Sequence, residues 1–215
     1  MKKNIISTAI IKVQSSSAEI ITKDASGVIN RKLVTIDELA SIFNETTLQT
    51  PILPPTTIWY GKSTKSTTIA IDVPASVRDV NDGSKKVIIK AVPFPRFVFI
   101  VKTYSGNGQA ARPNILEDAR VCPVKGSILS FDEMTYRFPY GNVYDDGRIC
   151  WGQNKPALAS IRGVGGLAEF FLSSGFNSDL SHGGLELMKT YAGNSSFPLD
   201  KLQKSHPLKY FIDIM

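Results

Sequence analysis

Histidine and cysteine are scarce in this chain. Its 215 residues include two histidines, His182 and His206, and two cysteines, Cys122 and Cys150. A histidine-rich metal site is therefore excluded, and we expect neither a metal nor a cofactor. Two cysteines in a chain without an export signal are expected to be free thiols rather than a structural disulfide.

Long apolar runs are also absent. A membrane-spanning helix needs roughly 18 or more consecutive apolar residues, and the apolar stretch near the N-terminus is interrupted at Ser7, Thr8 and Lys12. We therefore expect no export signal, no membrane association and a cytoplasmic location.

The charges are scattered rather than gathered in one block. Lysine and arginine number 25 against 19 aspartate and glutamate residues, which gives a net charge of +6. This balance favours an acidic partner surface. The sequence has no basic helix, no zinc-binding pattern and no repeat of basic and aromatic residues, so nucleic acid is not the predicted partner.

The first 50 residues are predicted to form an extension. Two β-rich runs, 5–13 and 18–22, are separated by three serines, which predicts a hairpin. Thr35 and Glu38 have the Thr-x-x-Glu spacing of a capping box, and apolar residues follow at helical spacing as far as Phe43. We therefore divide the chain into an N-terminal hairpin and helix, residues 1–50, and a main domain, residues 51–215.

The main domain is predicted to be rich in strands first and in helices later. Runs of β-branched and aromatic residues predict strands at 57–60, 67–73, 86–92, 97–103, 127–131 and 135–138. Short links between them predict an antiparallel meander, and residues 104–113 are predicted to be a loop. Helices are predicted from Pro156 to Phe171, with a break at its glycines, and at 185–191 and 199–204. Strands followed by helices indicate an α+β fold.

The most informative segment runs from Asn142 to Cys150. Asp145, Asp146 and Gly147 lie between them and favour a tight reversal of the chain. Such a reversal would place an amide donor near a thiol, which suits acyl transfer by a thiolate with a donor for the oxyanion. The other cysteine, Cys122, lies among apolar residues and is predicted to be a core thiol.

This segment resembles the active site of ubiquitin-conjugating enzymes. That family carries His-Pro-Asn, a turn and then Gly-x-Ile-Cys, with the asparagine eight positions before the cysteine; here Tyr140-Gly141-Asn142 and Gly147-Arg148-Ile149-Cys150 have the same spacing. Tyr140 and Gly141 replace the family's histidine and proline, and Tyr140 is kept as a possible supporting residue. The later Pro156-Ala157-Leu158 is similar to the Pro-Ala-Leu that follows the family's active site.

Further residues are similar to one bacterial branch of the family, the branch that includes protein B of the PRTRC gene clusters. These are Asn142-Val143-Tyr144 with Gly147, Cys150 and Gly152, preceded by Pro93-Phe94-Pro95 and Arg112-Pro113. The resemblance implies a UBC-like antiparallel meander flanked by helices, with the N-terminal hairpin added. It also implies that residues 51–215 form the catalytic domain.

The resemblance implies a function for Cys150. This residue would accept a ubiquitin-like protein as a thioester from a ThiF-like adenylating activating enzyme, and then transfer it to an amine. A JAB-type peptidase encoded in the same gene cluster is a further implied partner. Asn142 would donate to the oxyanion, and Asp145, Asp146 or Asp179 would orient or deprotonate the amine. Trp151 is expected to pack beneath the active-site loop or to border a partner surface.

Two alternatives stay open at this point. The chain could be a catalytically silent relative that binds the ubiquitin-like protein or another subunit through the same fold. It could also be a cysteine hydrolase that pairs Cys150 with His182.

Overall fold

The chain forms two compact units, residues 1–50 and residues 51–215. The computed structural model describes residues 6–13, 17–24, 26–38, 52–63, 66–83, 85, 87–104, 115–128, 130–153, 156–158, 160–180 and 183–215. No helix within these ranges is long and apolar enough to cross a membrane.

The first unit contains a three-stranded antiparallel sheet. Its strands are β1 (Ile6–Val13), β2 (Ser17–Asp24) and β3 (Ile29–Thr35), in the order β1-β2-β3. The predicted hairpin is present as β1 and β2. Strand β3 was not predicted, because its sequence does not alternate between apolar and polar residues. Only Val34 is buried, whereas Ile29 and Leu33 are exposed.

A capping box follows β3. The Thr35 backbone N–H donates to Glu38 Oε2 at 2.8 Å, and the Glu38 N–H donates to Thr35 Oγ1 at 3.1 Å. These reciprocal bonds satisfy two donors that a helix leaves free at its start. Residues 36–38 are helical, and the rest of the predicted helix lies outside the described residues.

The second unit is built on a four-stranded antiparallel sheet. Its strands are β4 (Thr57–Lys62), β5 (Ser66–Val73), β8 (Phe97–Tyr104) and β9 (Ile115–Pro123), in the order β4-β5-β8-β9. Between β5 and β8 the chain forms a separate hairpin of β6 (Ser76–Asp82) and β7 (Val87–Phe94). The sheet is therefore antiparallel as predicted, but it is a meander interrupted by a hairpin.

Side chains alternate between the two faces of the main sheet, and each face is covered by a separate core cluster. On one face, Phe97, Phe99 and Val101 belong to the larger core cluster, which the hairpin and two helices complete. On the other face, Val98 and Ile100 join a smaller cluster. Strands buried on both faces appear in the sequence as continuous apolar runs, which is why β5 and β8 were predictable.

Three helices cover this sheet. Helix α1 (Val164–Ser173) and helix α2 (Gly184–Tyr191) contribute Leu167, Phe171 and Met188 to the larger cluster. A two-stranded ladder of β10 (Met134–Tyr136) and β11 (Lys204–Pro207) then leads into helix α3 (Leu208–Asp213), whose Leu208 and Phe211 cover the opposite face. Strand β11 lies between α2 and α3, whereas β1 to β10 all precede α1. The described residues thus form mostly antiparallel sheets with few helices, which is compatible with the predicted α+β fold.

Three sequence predictions for this unit are wrong. Described residues of 127–131 form no strand, because Ser130 starts a turn in which its hydroxyl accepts from the Asp132 N–H at 3.2 Å. The helix predicted from Pro156 begins at Val164, after a 3₁₀ turn that ends at Gly163. The helix predicted at 199–204 is only a 3₁₀ turn at Leu199–Lys201, since the chain pairs with β10 as β11 from Lys204 onward.

Cys122 lies in the smaller core cluster, as predicted, and burial raises the pKa of its thiol. The unfolded thiol ionises near its ordinary pKa of about 8.5. Stability from this group is therefore complete below that pH and is lost as the pH rises, because only the unfolded chain releases the proton.

We expect this loss to disappear in Cys122→Val, which fills a similar volume without a titrating group. Between about pH 9 and pH 10, the free energy of unfolding of the native chain should fall by about 1.4 kcal/mol more than that of Cys122→Val. Urea unfolding at several pH values measures the difference. Parallel pH profiles for the two proteins would contradict the burial of this thiol.

Candidate active site

The segment from Asn142 to Cys150 folds back on itself, as the sequence predicts. Val143 and Ile149 form an antiparallel bridge. The Tyr144 N–H donates to the Arg148 carbonyl and the Cys150 N–H donates to the Asn142 carbonyl, each at 2.8 Å. The segment is thus a short hairpin, which we call the thiol hairpin (residues 142–150).

The returning arm of the thiol hairpin extends the main sheet. The Val121 N–H donates to the Gly147 carbonyl, and the Ile149 N–H donates to the Ala119 carbonyl, both at 2.9 Å. Gly147 has a φ of +82°, and a Cβ there would lie 3.2 Å from the Val121 carbonyl oxygen. A glycine is therefore needed both for the reversal and for the close approach to β9.

A buried arginine strengthens this attachment. The guanidinium of Arg120 donates from Nη1 to the Asp146 carbonyl at 2.9 Å and from Nε to Asp118 Oδ2 at 3.1 Å. Arg120 lies on β9 and is buried. It therefore joins the edge strand to the tip of the thiol hairpin with charge-assisted hydrogen bonds.

Antiparallel pairing sorts the side chains of the thiol hairpin onto two faces. Val143 and Ile149 are buried in the larger core cluster. Alternation then places Tyr144, Arg148 and Cys150 together on the opposite face. Cys150 is half-buried there, whereas Cys122 is fully buried.

Cys150 lies between two concave surfaces. The first, of about 440 Å³, is lined by the end of α1 and the loop that follows it, and by Asn142, Cys150 and Asp179. The second, of about 320 Å³, is lined by β9 residues Glu117 and Asp118 and by the thiol hairpin. Cys150, Trp151 and Gly152 line both, so the two concave surfaces meet at Cys150.

Asn142 connects the thiol hairpin to the loop after α1. Its Nδ2 donates to the Gly175 carbonyl at 2.8 Å, and its Oδ1 accepts from the Asn177 N–H at 3.3 Å. Its backbone has a φ of +64°, in the left-handed region that asparagine tolerates better than most residues. The amide thus has a structural role beside the thiol, and it retains a second hydrogen on Nδ2.

The loop after α1 is also fixed from its other side. The Gly83 N–H donates to the Phe176 carbonyl at 2.8 Å, and the Phe176 N–H donates to the Asn81 carbonyl at 2.9 Å. A Cβ at Gly175 would lie 3.2 Å from the Gly83 Cα. The end of β6 therefore supports the same loop that Asn142 holds.

Of the three predicted acidic residues, only Asp179 lines a concave surface that contains Cys150. Asp179 lines the first concave surface with Cys150, and its Oδ2 accepts from Asn177 Nδ2 at 3.0 Å. Asp145 is exposed and pairs with Arg137 at 3.2 Å. Asp146 pairs with Arg148 at 2.7 Å within the turn. Neither Asp145 nor Asp146 lines the surfaces that contain the thiol.

The two predicted aromatic residues both pack against the core. The Trp151 ring lies 6.1 Å from the Phe170 ring and 6.3 Å from the Phe171 ring, and it borders both concave surfaces. Tyr140 is fully buried, and its hydroxyl donates to the Pro93 carbonyl at 2.6 Å. Burial raises the pKa of Tyr140.

Three residues beside the thiol were not predicted as site residues: Glu117, Asp118 and Tyr144, of which only Tyr144 was noted, in the resemblance to the bacterial branch. Residues two positions apart in a strand lie on the same face. Tyr144 is two positions from Asn142, so strand alternation alone would have predicted it on the same face as Asn142. The register of β9 against the hairpin was not predictable from the sequence, so nothing indicated the two acidic residues. His182 lies outside the described residues, and within the described part no cluster of three potential metal ligands occurs.

Tyr144 lines the same concave surface as Cys150. A hydrogen bond to the Cys150 side chain, followed by the charge of its sulfur, raises the pKa of Tyr144. The Arg148 guanidinium lies 5.3 Å from the centroid of the same ring and opposes this effect.

We expect Cys150→Ala to lower the pKa of Tyr144 toward the ordinary tyrosine value of about 10, because both causes of the increase are removed. The ultraviolet absorbance of tyrosinate, measured as the difference between each protein and its Tyr144→Phe counterpart, isolates this one residue. An unchanged titration of Tyr144 in Cys150→Ala would contradict the contact.

Two substitutions at Asn142 separate its amide from its backbone conformation. Asn142→Ala should lower the free energy of unfolding by about 2–3 kcal/mol, since Gly175 and Asn177 lose their partner and alanine is strained at this φ. Asn142→Gly should cost about 1 kcal/mol less, because glycine has no penalty in the left-handed region. Chemical denaturation measures both variants, and equal losses would show that the backbone conformation is not under strain.

Comparison with protein families gives one match. Residues 33–211, which include the thiol hairpin and both concave surfaces, match the family described as Prokaryotic E2 family D. Searches of curated proteins and of solved structures gave no match. The match covers most of the chain. The chain therefore belongs to prokaryotic E2 family D, a bacterial family of the E2 type that functions in ubiquitin-like conjugation.

Proposed function

We propose that Cys150 carries a ubiquitin-like protein as a thioester and transfers it to an amine. The observation that supports this most directly is the position of the thiol. Cys150 is the accessible one of the two cysteines, and it lies where two concave surfaces meet. Two successive acyl transfers need a sulfur that two different reactants can approach.

In the first transfer, the Cys150 thiolate attacks the thioester carbonyl that the activating enzyme holds. A bond forms between sulfur and carbon, and the oxyanion of the tetrahedral intermediate then collapses. The activating enzyme leaves as a thiolate and takes up the proton that Cys150 released. The second hydrogen of Asn142 Nδ2 is the proposed donor to this oxyanion, a role typically worth ~10²-fold or more in rate.

In the second transfer, an amine nitrogen attacks the same carbonyl and Cys150 leaves as a thiolate. A lysine amine has an ordinary pKa of about 10.4 and must lose a proton before or during attack. Asp179 on one concave surface, and Glu117 and Asp118 on the other, are the carboxylates that lie on the surfaces containing the sulfur. We propose that one of these carboxylates orients the amine, and that Asp145 and Asp146 stabilise the turn.

Several finer assignments belong to the same proposal. The order of antiparallel sheet, thiol segment and following helices supports a UBC-like fold for residues 51–215. Pro93-Phe94-Pro95 and the Asn142 to Gly152 pattern support the PRTRC branch. We also propose a cytoplasmic setting, a ThiF-like enzyme as acyl donor and a JAB-type peptidase as a partner.

A silent binding protein is the second candidate function. The observation in its favour is that the Asn142 side chain already bonds Gly175 and Asn177. If those contacts are its whole role, the thiol hairpin would present a surface to the ubiquitin-like protein without catalysing a transfer.

The decisive reaction combines this chain with ATP and with the two partners proposed for it, a ThiF-like activating enzyme and a ubiquitin-like protein of the small β-grasp class. We expect an adduct whose intact mass equals the sum of both proteins less one water and which a thiol reductant releases. Cys150→Ala should abolish this adduct. The matched control Cys122→Val should retain it, because Cys122 is buried in the core.

An adduct that persists in Cys150→Ala would contradict the proposed chemistry. Binding of the β-grasp protein without an adduct, at equal affinity for the native chain and for Cys150→Ser, would instead support the silent binding protein.

A further inference from the structure

Tyr144 and Cys150 share a face of the thiol hairpin and a single concave surface. The bridge between Val143 and Ile149 fixes the register, so the side chains on either side of it point away from the core. Both Tyr144 and Cys150 line the 320 Å³ surface beside β9. Tyr144 lies opposite Arg148 and Cys150 lies opposite Asn142, so Tyr144 and Cys150 are diagonal neighbours on this face, within reach of an aromatic side chain.

The position of the Tyr144 ring is supported by charged neighbours. The Arg148 guanidinium lies 5.3 Å from the ring centroid, a cation–π distance. Arg148 is itself held at 2.7 Å from Asp146 Oδ2, and the Asp146 carbonyl accepts from buried Arg120. The chain of contacts from β9 to the ring limits where the hydroxyl can lie.

Tyr140, at the position of the histidine in ubiquitin-conjugating enzymes, does not line the concave surface that Tyr144 and Cys150 share. Tyr140 is fully buried, and its hydroxyl is bonded to the Pro93 carbonyl. Tyr144 is 41% exposed, so a reactant can approach its hydroxyl and the sulfur together. Tyr144 therefore presents a phenolic donor at the reacting atom, whereas Tyr140 supports the core.

We propose that Tyr144 is a catalytic residue whose hydroxyl donates a hydrogen bond to the Cys150 thiolate. This inference rests on the proposed role of Cys150 as the nucleophile. A donor to the thiolate stabilises the charged sulfur and fixes its direction for attack. The same bond supports the sulfur when it becomes the leaving group in the second transfer.

The role requires no proton transfer from Tyr144. The hydroxyl stays protonated near neutral pH because its ordinary pKa is about 10. It donates to the sulfur before attack, the sulfur gives its electron pair to the carbonyl carbon, and the hydroxyl donates again when the carbon–sulfur bond breaks. The proton that the Cys150 thiol loses is taken up by the activating enzyme's own thiolate, which is the leaving group of the first transfer.

The test is the pH profile of Cys150 alkylation by iodoacetamide in native, Tyr144→Phe and Tyr210→Phe proteins, with each cysteine followed by peptide mass. Tyr210 is the matched control because it is 42% exposed and its ring also stacks on a basic side chain, His206, at 4.2 Å. Near neutral pH, Tyr144→Phe should react roughly 3–10-fold more slowly, because its thiolate lacks a donor.

At high pH, where the thiol is fully ionised, Tyr144→Phe should react as fast as the native chain or faster. A thiolate without a hydrogen bond is the better nucleophile, so the two profiles should cross. A purely structural role would slow alkylation equally at every pH. The other charged groups around the sulfur, Glu117, Asp118, Arg148 and Asp179, are the same in all three proteins.

Profiles of Tyr144→Phe that overlay those of the native chain and of Tyr210→Phe would overturn the proposal. So would a loss at every pH without a crossing. Alkylation needs no partner protein, so it decides the role of Tyr144 separately from the adduct experiment. An adduct on Cys150 together with an unchanged alkylation profile would leave the proposed function standing and remove Tyr144 from it.

Discussion

Two backbone hydrogen bonds join the edge strand β9 to the segment that carries the Cys150 thiol. The Val121 N–H donates to the Gly147 carbonyl and the Ile149 N–H donates to the Ala119 carbonyl. Because they fix the register of the thiol hairpin, they decide that Ile149 enters the core and that Cys150 faces outward. Gly147 permits the approach, and Arg120 strengthens it from the buried side. The sheet thereby places the Cys150 thiol at its edge.

The second constraint is that residues beside the thiol also hold neighbouring segments of the fold together. Asn142 holds the loop after α1 through two hydrogen bonds, and the end of β6 holds that loop from the other side. The concave surface between them therefore depends on three separate segments of chain. Tyr140, at the position where ubiquitin-conjugating enzymes have a histidine, is instead buried in the core with its hydroxyl bonded to the Pro93 carbonyl.

The sequence allowed those parts of the fold to be predicted whose apolar pattern is strong. Strands β5 and β8 are buried on both faces and have continuous apolar runs, and the reversal between Asn142 and Cys150 follows from its Asp and Gly residues. Strand β9 was missed because Glu117, Asp118 and Arg120 interrupt its apolar residues. Those side chains are tolerated because they lie at the sheet edge, where they line the site and bind the thiol hairpin.

The central claim is that the thiol hairpin is a hydrogen-bonded extension of the main sheet. Amide hydrogen exchange tests it most directly. The N–H groups of Val121 and Ile149 should exchange together, on the order of a thousandfold more slowly than the N–H of Arg148, which donates only to the exposed Asp146 side chain. Exchange of the Ile149 amide as fast as that of Arg148 would contradict the claim, because the thiol would then lie on a segment that the sheet does not hold.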